Sequence, residues 1–587
     1  MSKKLVSLLL VLGLVVCLFA GCGGDAASSA APADESVAAS TPEEAPAQEE
    51  AAPAADGSAE EGSVVEAAPA EGPSNGYYTE HIGVKDYDLP LFDEDLTLSI
   101  YWVQLGAMGG AEQPMKKDVL FWQRVQEATG VTLDFVQVGE ATCAEQYNLR
   151  IASGDMTDLI YESNCGQMGS TSVYNGGYDK AIEDEVYVDL TDLIPEYAPN
   201  YWAIISADEN LRKDLTTDTG KLYSMGMLYD QPQGVREGPL VRKDYLEETG
   251  LGTPVTTQDW MEVFKAMKAN GVQYPMGVGS SGDIRGGMFA NAFGTGAGHS
   301  FKIDIATGEM IYDGTSQECR DFVEYFAEAF KGGMIDPDYA YAAMFDTSLQ
   351  TSGAVALFGG MDRDLTNMKE SYGLDLMAVP MTWPEGSEAP KMNSYEYAYQ
   401  RNSSMKNIVI TTNCEEPEMA VTFLDWFYST DGVSAVNFGF NEDESYEVVD
   451  GVKQWLPFMT ERDENLVNYE VIYSLDEGPG LQYVNKKSPV SEDYVLEAKE
   501  IWLSHDTSKA VFSGMPTLSF TAEESEDMGA VNTDIYTHVS TELSKFMMGE
   551  TELTDETWDA YVKSVEDMGL AEIMEFYTVA YERYENR

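Results

Sequence analysis

Apolar and polar residues alternate along Leu96-Thr-Leu-Ser-Ile-Tyr-Trp102, which predicts a strand with one buried face. Asp118 to Thr129 (DVLFWQRVQEAT) changes to helical spacing and stops at Gly130, and Val131 to Val136 returns to the strand pattern. Cys143 to Ala152 reads as a second helix and Leu159 to Tyr161 as a short apolar strand. Strand, helix, strand, helix, strand is the order of an α/β domain on a parallel sheet.

The pattern continues in the same style. Val188 to Pro195 reads as a turn and helix, Lys221 to Met227 as a strand, and Leu240 to Arg242 as another. A short helix then follows Lys243 to Leu246 and is closed by Gly250. Thr257 is the expected N-cap of a helix to Met267, whose Trp260, Phe264 and Met267 share one face. Phe301 to Tyr312 turns at Ala306-Thr-Gly308 as a hairpin, and Cys319 to Phe330 is an amphipathic helix. Strands are expected at 354–358, 374–380 and 408–411, then a strongly apolar helix from Pro417 to Tyr428. Beyond it the chain reads as mostly helical to Arg587.

The first 84 residues follow different rules. Lys3 and Lys4 precede an apolar run from Leu5 to Phe19, too short to span a bilayer comfortably, and then Ala20, Gly21 and Cys22. Positive head, apolar run and small-residue exit are the parts of an export signal. The cysteine after the small pair resembles the lipobox of bacterial lipoproteins, with Phe19 where that pattern usually has an aliphatic residue. The resemblance implies a signal peptide over 1–21 and a diacylglycerol-modified Cys22 on the extracytoplasmic face of the cell membrane. Residues 22–76 are Ala, Pro, Ser, Gly and acid, with no Lys or Arg between Lys4 and Lys85. Such a segment buries too little apolar area to fold and reads as a disordered tether, about 40 Å in r.m.s. span.

The 587 residues carry a formal charge of −66. A surface this acidic repels nucleic-acid phosphates and anionic headgroups, so no nucleic-acid partner is expected and the membrane link falls to the lipid alone. Of six cysteines, Cys17 leaves with the signal and Cys22 carries lipid. Cys143, Cys165, Cys319 and Cys414 have no CxxC spacing and no nearby His, and read as scattered buried thiols, with a Cys143–Cys165 bridge left open. The four His (His81, His299, His505, His538) are dispersed, which opposes a histidine triad or metal centre. Gly277-Val-Gly-Ser-Ser-Gly282 matches GxGxxG but lacks the context of a dinucleotide site and reads as a loop. No cofactor, no metal and no catalytic residue is expected.

Several stretches carry a family likeness when taken in order. They are Leu149-Arg-Ile-Ala-Ser-Gly-Asp155 leading to Asp158-Leu-Ile160, Pro239 to Leu246 with Pro254 to Trp260, Asn413 to Tyr428, and Gly432 to Val449. Pro516 to Phe520, Lys545 to Gly549, Trp558 to Tyr561 and Tyr581 to Tyr584 continue the series. From about 95 to 587 the chain thus resembles the lipoprotein solute-binding proteins of carbohydrate ABC importers, of the maltose-binding-protein fold class. The resemblance implies a two-lobed α/β fold with an interlobe cleft and a helix-rich last part. Lobe 1 would take 93–233 plus 364–413, and lobe 2 would take 234–363 plus 414–587. Many relatives carry a calcium-binding loop after the equivalent of Lys268; Ala269 to Pro275 does not have that composition, so no calcium is expected there. The partners implied are a sugar ligand and ABC permease subunits, with the chain itself a monomer.

Sugar recognition needs aromatic faces for the C–H faces of a ring and planar polar groups for its hydroxyls. Ligands of open α/β sheets bind outside the carboxyl ends of the strands. That rule nominates Trp102, Tyr161 and Glu162. The resemblance adds Arg242, Asp244, Met361, Asp362, Trp383, Tyr397 and Glu442; Tyr397 alternates with Tyr395 and Tyr399. The function implied is capture of a sugar or oligosaccharide by hinge closure and delivery to a permease, without enzymatic activity. A peptide or other organic solute, and a secreted glycoside hydrolase with paired carboxylates, are the alternatives.

Overall fold

In the computed structural model, the described residues are 83–104, 114–139, 142–162, 174, 176–230, 237–277, 289–298, 300–339, 348–361, 365–366, 368–369, 372–393, 402–449, 451–460, 469–475, 478–483, 493–516 and 518–587. β1 (Leu96–Gln104), β2 (Val131–Gly139) and β3 (Leu159–Tyr161) are joined by the helices Leu120–Thr129 and Cys143–Ser153. Gly130 ends the first helix at φ 75°, a left-handed turn that lets β2 begin at the next residue. After β4 (Met225–Tyr229) come β5 (Glu237–Arg242), β6 (Tyr274–Met276), the hairpin of β7 (Phe301–Asp304) and β8 (Met310–Tyr312), then β9 (Val355–Met361) and β10 (Leu376–Ala378). β11 (Met392–Asn393) and β12 (Asn402–Ile410) follow, then the hairpin β13 (Tyr446–Val449) and β14 (Val452–Trp455), β15 (Gly480–Gln482) and β16 (Phe512–Gly514).

The strands sort into two bodies. The first holds a six-stranded sheet of order β15-β4-β12-β3-β1-β2. The second holds a sheet of order β10-β5-β9-β6 and another of order β11-β16-β7-β8. The first core takes Leu98, Ile100 and Trp102 from β1, Trp122 and Val125 from the following helix, and Phe423, Trp426 and Phe427 from the helix Pro417–Trp426. The second core packs Trp260, Phe264 and Met267 against Phe322, Phe326, Leu543, Trp558 and Ile573. Each large apolar side chain buried there contributes about 1.5–3 kcal/mol.

This packing corrects the expected lobe boundaries. Leu376–Ala378, assigned to lobe 1, pairs antiparallel with β5 of the second body. Residues 417–438 and 480–482, assigned to lobe 2, fill the first core and extend the first sheet at β4. The chain therefore crosses between bodies at 230–237, 393–402 and 483–493. The stretch after Tyr428 is also less helical than its composition suggests, since β13 to β16 lie in it. The helix Thr257–Ala269 is capped by Thr256 rather than Thr257: Thr256 accepts from the Asp259 N–H and Asp259 answers in a capping box. Cys143 is disulfide-bonded to a cysteine outside the described residues, while Cys319 and Cys414 are free and buried. Among the described residues, no helix is long and apolar enough to cross a membrane.

One polar knot stands inside the second body. Lys302 is fully buried, and its ammonium donates to the Gly294 carbonyl (2.8 Å) and Glu318 Oε2 (3.1 Å), 3.4 Å from Asp313 Oδ1. Asp313 Oδ2 accepts from the N–H groups of Gly296 (2.9 Å) and Gly298 (2.8 Å). The ammonium thus balances a carboxylate that holds the 294–298 turn. Lys302→Met should lower the unfolding free energy by about 3–5 kcal/mol, because it leaves a buried carboxylate without its cation. Urea titration of wild type and variant checks this; a loss below the experimental error would contradict it.

Candidate ligand-binding cleft

Strand direction locates the site. β1, β2 and β3 are parallel, β12 runs against both β3 and β4, and β15 is parallel to β4. Every strand of the first sheet except β12 therefore ends at the same edge. The chain leaves β4 and β15 and enters β12 at that edge, so all three crossings start there. In the second body β6 is parallel to β9, and β5 is antiparallel to both β9 and β10. The carboxyl ends of β6, β9 and β10 thus share an edge with the amino end of β5, where the first crossing arrives.

At the first edge stands Glu162, one residue past β3. It is buried, and its N–H donates to the Asn407 carbonyl (2.8 Å). Tyr178 donates to Oε2 (2.7 Å) and Tyr187 to Oε1 (3.2 Å). Tyr187 shares a further hydrogen bond with Tyr147 (2.5 Å), and Tyr178 stacks on Tyr223 at 3.7 Å. Burial pushes the Glu162 carboxyl up to about 8, against the two tyrosine hydrogen bonds that stabilise its anion. Next along the edge, Asp230 is buried and donates its N–H to the Gln482 carbonyl (2.9 Å). Tyr483, half-buried, has its phenol raised to about 12 by burial and by Asp230.

Trp102 and Tyr161 are placed differently from expectation. Both are buried, stacked on each other at 4.1 Å and 12°, with Trp122 and Phe135 edge-on to the indole. They close the end of the first core and present no open ring face. The alternation of a strand explains the split: Trp102 and Tyr161 point into one core, while Glu162 points to the opposite face of the sheet.

Arg242 and Asp244 also fall away from the edge. They pair with each other at the carboxyl end of β5, with the guanidinium over the Tyr245 ring at 4.4 Å. Because β5 is antiparallel to β9, that end points away from Met361, which pairs with Glu237. Met361 does end β9 at the crossing edge, and only its backbone is described. Asp362 and Tyr397 lie outside the described residues, as do Tyr395, Tyr399 and residues 278–282 of the glycine motif. Glu442 is exposed ahead of the β13–β14 hairpin, beside Glu444, which pairs with Arg124 (2.7 Å), and not among the strand ends.

Trp383 is at the crossing edge of the second body. Past β10 the Val379 N–H donates to the Pro239 carbonyl, so the chain runs beyond the start of β5. Trp383 then receives the Thr257 N–H (3.0 Å) and donates to Val255 (3.3 Å) at the start of the helix Thr257–Ala269. Its half-buried indole lies 6.2 Å from the His505 ring. His505 follows the helix Asp493–Trp502, which packs so closely that a Cβ on Gly238 would fall 2.5 Å from the Trp502 indole nitrogen. Burial lowers the His505 imidazole below its ordinary value, leaving it neutral at pH 7. The second edge therefore offers the half-buried rings of Trp383 and His505, and the first edge offers half-buried Tyr483 with the buried acids Glu162 and Asp230. Tyr178, Tyr187 and Tyr147 carry no local signal, because only the packing of their elements brings them to Glu162. Among the described residues no cluster of His, Cys, Asp and Glu forms a metal centre.

Comparison with known proteins agrees with this geometry. Residues 103–434 match the profile of the family described as bacterial extracellular solute-binding protein. The fructooligosaccharide ABC transporter substrate-binding protein FusA of Streptococcus pneumoniae is 21% identical over 81% of this chain and 88% of its own. Lipoprotein LipO of Bacillus subtilis is 22% identical over 72% and 80%. Among solved structures, an HMO binding ABC-transporter associated solute-binding protein from Bifidobacterium longum infantis superposes with a TM-score of 0.65 at 16% identity, covering 84% of this chain and 99% of that one.

Glu162 generates a pH prediction. Between its ordinary 4.5 and about 8, the native state holds a proton that the unfolded chain has lost. The contribution of this group to stability therefore falls as pH rises through that window, by up to about 1.4 kcal/mol per unit. Glu162→Gln should remove that slope, so the variant gains on wild type from pH 5 to pH 8. Urea midpoints across the range test it, and parallel profiles would refute the assignment.

Proposed function

Since the chain belongs to the bacterial extracellular solute-binding proteins, we propose that it captures an oligosaccharide between its two bodies and delivers it to an ABC permease. The observation that carries the reading is the course of the chain: all three crossings reach the carboxyl edge of the first sheet, and the first of them enters the second body beside the carboxyl ends of β9 and β10. Aromatic faces suit the C–H faces of pyranose or furanose rings, and buried carboxyl and tyrosine groups suit hydroxyls. A ligand touching both bodies stabilises the closed arrangement by the difference in its affinity for the two states, which is how binding is reported to a permease.

Of the relatives named above, FusA is described as a fructooligosaccharide ABC transporter substrate-binding protein and LipO as a lipoprotein. The sugar class comes to this chain by that likeness and by the aromatic edge. The protein acts as a receptor and not as an enzyme, and it is held on the extracytoplasmic face of the membrane by lipid on Cys22, with the acidic 22–76 segment as tether. This last reading rests on the signal-like sequence before Cys22, and a lipoprotein among the relatives supports it.

Calorimetry of the full chain in detergent against neutral fructans and acidic pectic oligomers, with product analysis of the same samples, tests the function. Saturable heat with intact sugar is expected. Cleaved sugar would establish a glycosidase, and silence across both classes would move the ligand to a non-carbohydrate solute. With a binding sugar in hand, Trp383→Ala should weaken affinity about tenfold or more, equal to about 1.4 kcal/mol. Cys22→Ser should shift the protein from the membrane to the soluble fraction in the producing cell; unchanged fractionation would refute the lipid anchor.

A further inference from the structure

The two bodies are tied by more than their three crossings. Lys213, Asp214 and Asp218 lie on the stretch leading into β4, whose Leu211, Leu215 and Leu222 are packed in the first core. Ser519, Glu524 and the helix Leu570–Glu585 belong to the second body, where Leu570 and Ile573 are core residues and Tyr577 stacks on Phe301 at 3.8 Å. The end of that helix reaches back to the first body. Arg583 Nε donates to Asp218 Oδ2 (2.7 Å), while its two Nη groups donate to both oxygens of Glu524, each at 2.7 Å. Arg587 Nε donates to Asp218 Oδ1 (2.9 Å), and its Nη groups donate to the Lys213 carbonyl (3.3 Å) and Ser519 Oγ (2.8 Å). Tyr584 donates to Asp214 Oδ1 (2.9 Å), and Lys213 Nζ donates to the Glu585 carbonyl (2.9 Å).

These are not loose surface pairs. The side chains of Arg587 and Asp218 are 3% and 12% exposed, and Asp218 uses both oxygens on two guanidinium groups. Partly desolvated, fork-shaped pairs of this kind hold geometry far better than exposed ones. The turn they grip is also braced from behind. Asp179, in the helix Gly177–Glu183, accepts from the Thr217 hydroxyl (2.7 Å) and the Thr219 N–H (3.1 Å). Its neighbour Tyr178 is the donor to Glu162 at the crossing edge. The grip is separated from the first crossing by β4, a strand of five residues and hence about 17 Å. A tie placed that far from the hinge loops resists rotation about them, whereas the loops alone do not.

We propose that Arg583 and Arg587, closed on Asp218, form a clasp that sets the relative orientation of the two bodies and limits how far the cleft swings. The clasp rests on the two-body fold and not on the identity of the ligand.

The test uses the full chain without ligand. Leu149 and Ile305, both 55% exposed and in different bodies, are replaced by cysteine and spin-labelled; the free native thiols among the described residues, Cys319 and Cys414, are buried. The distance distribution is measured by pulsed electron resonance for the parent and for Asp218→Ala, Asp218→Asn and the double variant Arg583→Ala/Arg587→Ala. Each is paired with a thermal melt and hydrogen exchange of residues 214–220. The expected result is roughly a doubling of the distribution width in all three, with faster exchange in the turn and a cooperative melt retained. High salt should widen the parent distribution in the same direction. Unchanged widths in variants that melt cooperatively would overturn the proposal. Asp218→Asn keeps the shape of the turn and decides the matter if the alanine variant unfolds.

Discussion

Strand direction is the constraint on which the rest depends. A sheet whose strands all run one way, apart from β12, has one carboxyl edge, and the chain must leave and re-enter the first body there. In the second body the ends of β6, β9 and β10 share an edge with the start of β5, where the first crossing arrives, because β5 alone runs the other way. In open α/β sheets the crevice outside the carboxyl ends of the strands is where ligands bind, which is why this edge is the candidate site.

Charge is handled differently inside and outside. The surface carries the large acidic excess, which costs little in water and discourages association. Inside, each acid has a specific answer. Asp313 has the ammonium of Lys302 and backbone donors. Asp425 accepts from Tyr87, Asn200 and the Tyr201 N–H while burial raises its carboxyl. Glu162 accepts from the Tyr178 and Tyr187 hydroxyls, and burial pushes its carboxyl up to about 8. The proton substitutes for a cation at the crossing edge.

The clasp and the edge are joined through a short stretch of structure. The turn gripped by the arginines is bonded to Asp179, and Tyr178 beside it carries the hydrogen bond to Glu162. The turn gripped by the arginines and the carboxyl of Glu162 thus share one helix, Gly177–Glu183.

The sequence by itself determined the local elements and the family. Alternation in β1, helical spacing from Leu120 to Thr129, the apolar hairpin of β7 and β8 and the run from Pro417 were legible because each depends on neighbours close in the chain. Of the nominated residues, Glu162 stands one residue past β3 and Trp383 beyond β10, each at an edge that a crossing reaches. Trp102 and Tyr161 lie in the core instead, since a residue at the end of a strand still points to one face or the other. Arg242 and Asp244, nominated by the resemblance, stand at the opposite end of β5 from the crossing, because the direction of β5 is decided by its pairing with β9 and β10. Only the tertiary structure assigned β10 to the second body and residues 417–438 and 480–482 to the first. It alone brought Arg583 and Arg587 to Asp218, across more than 360 residues of chain. Pairing and long-range packing are properties of which surfaces meet, and no local periodicity records them.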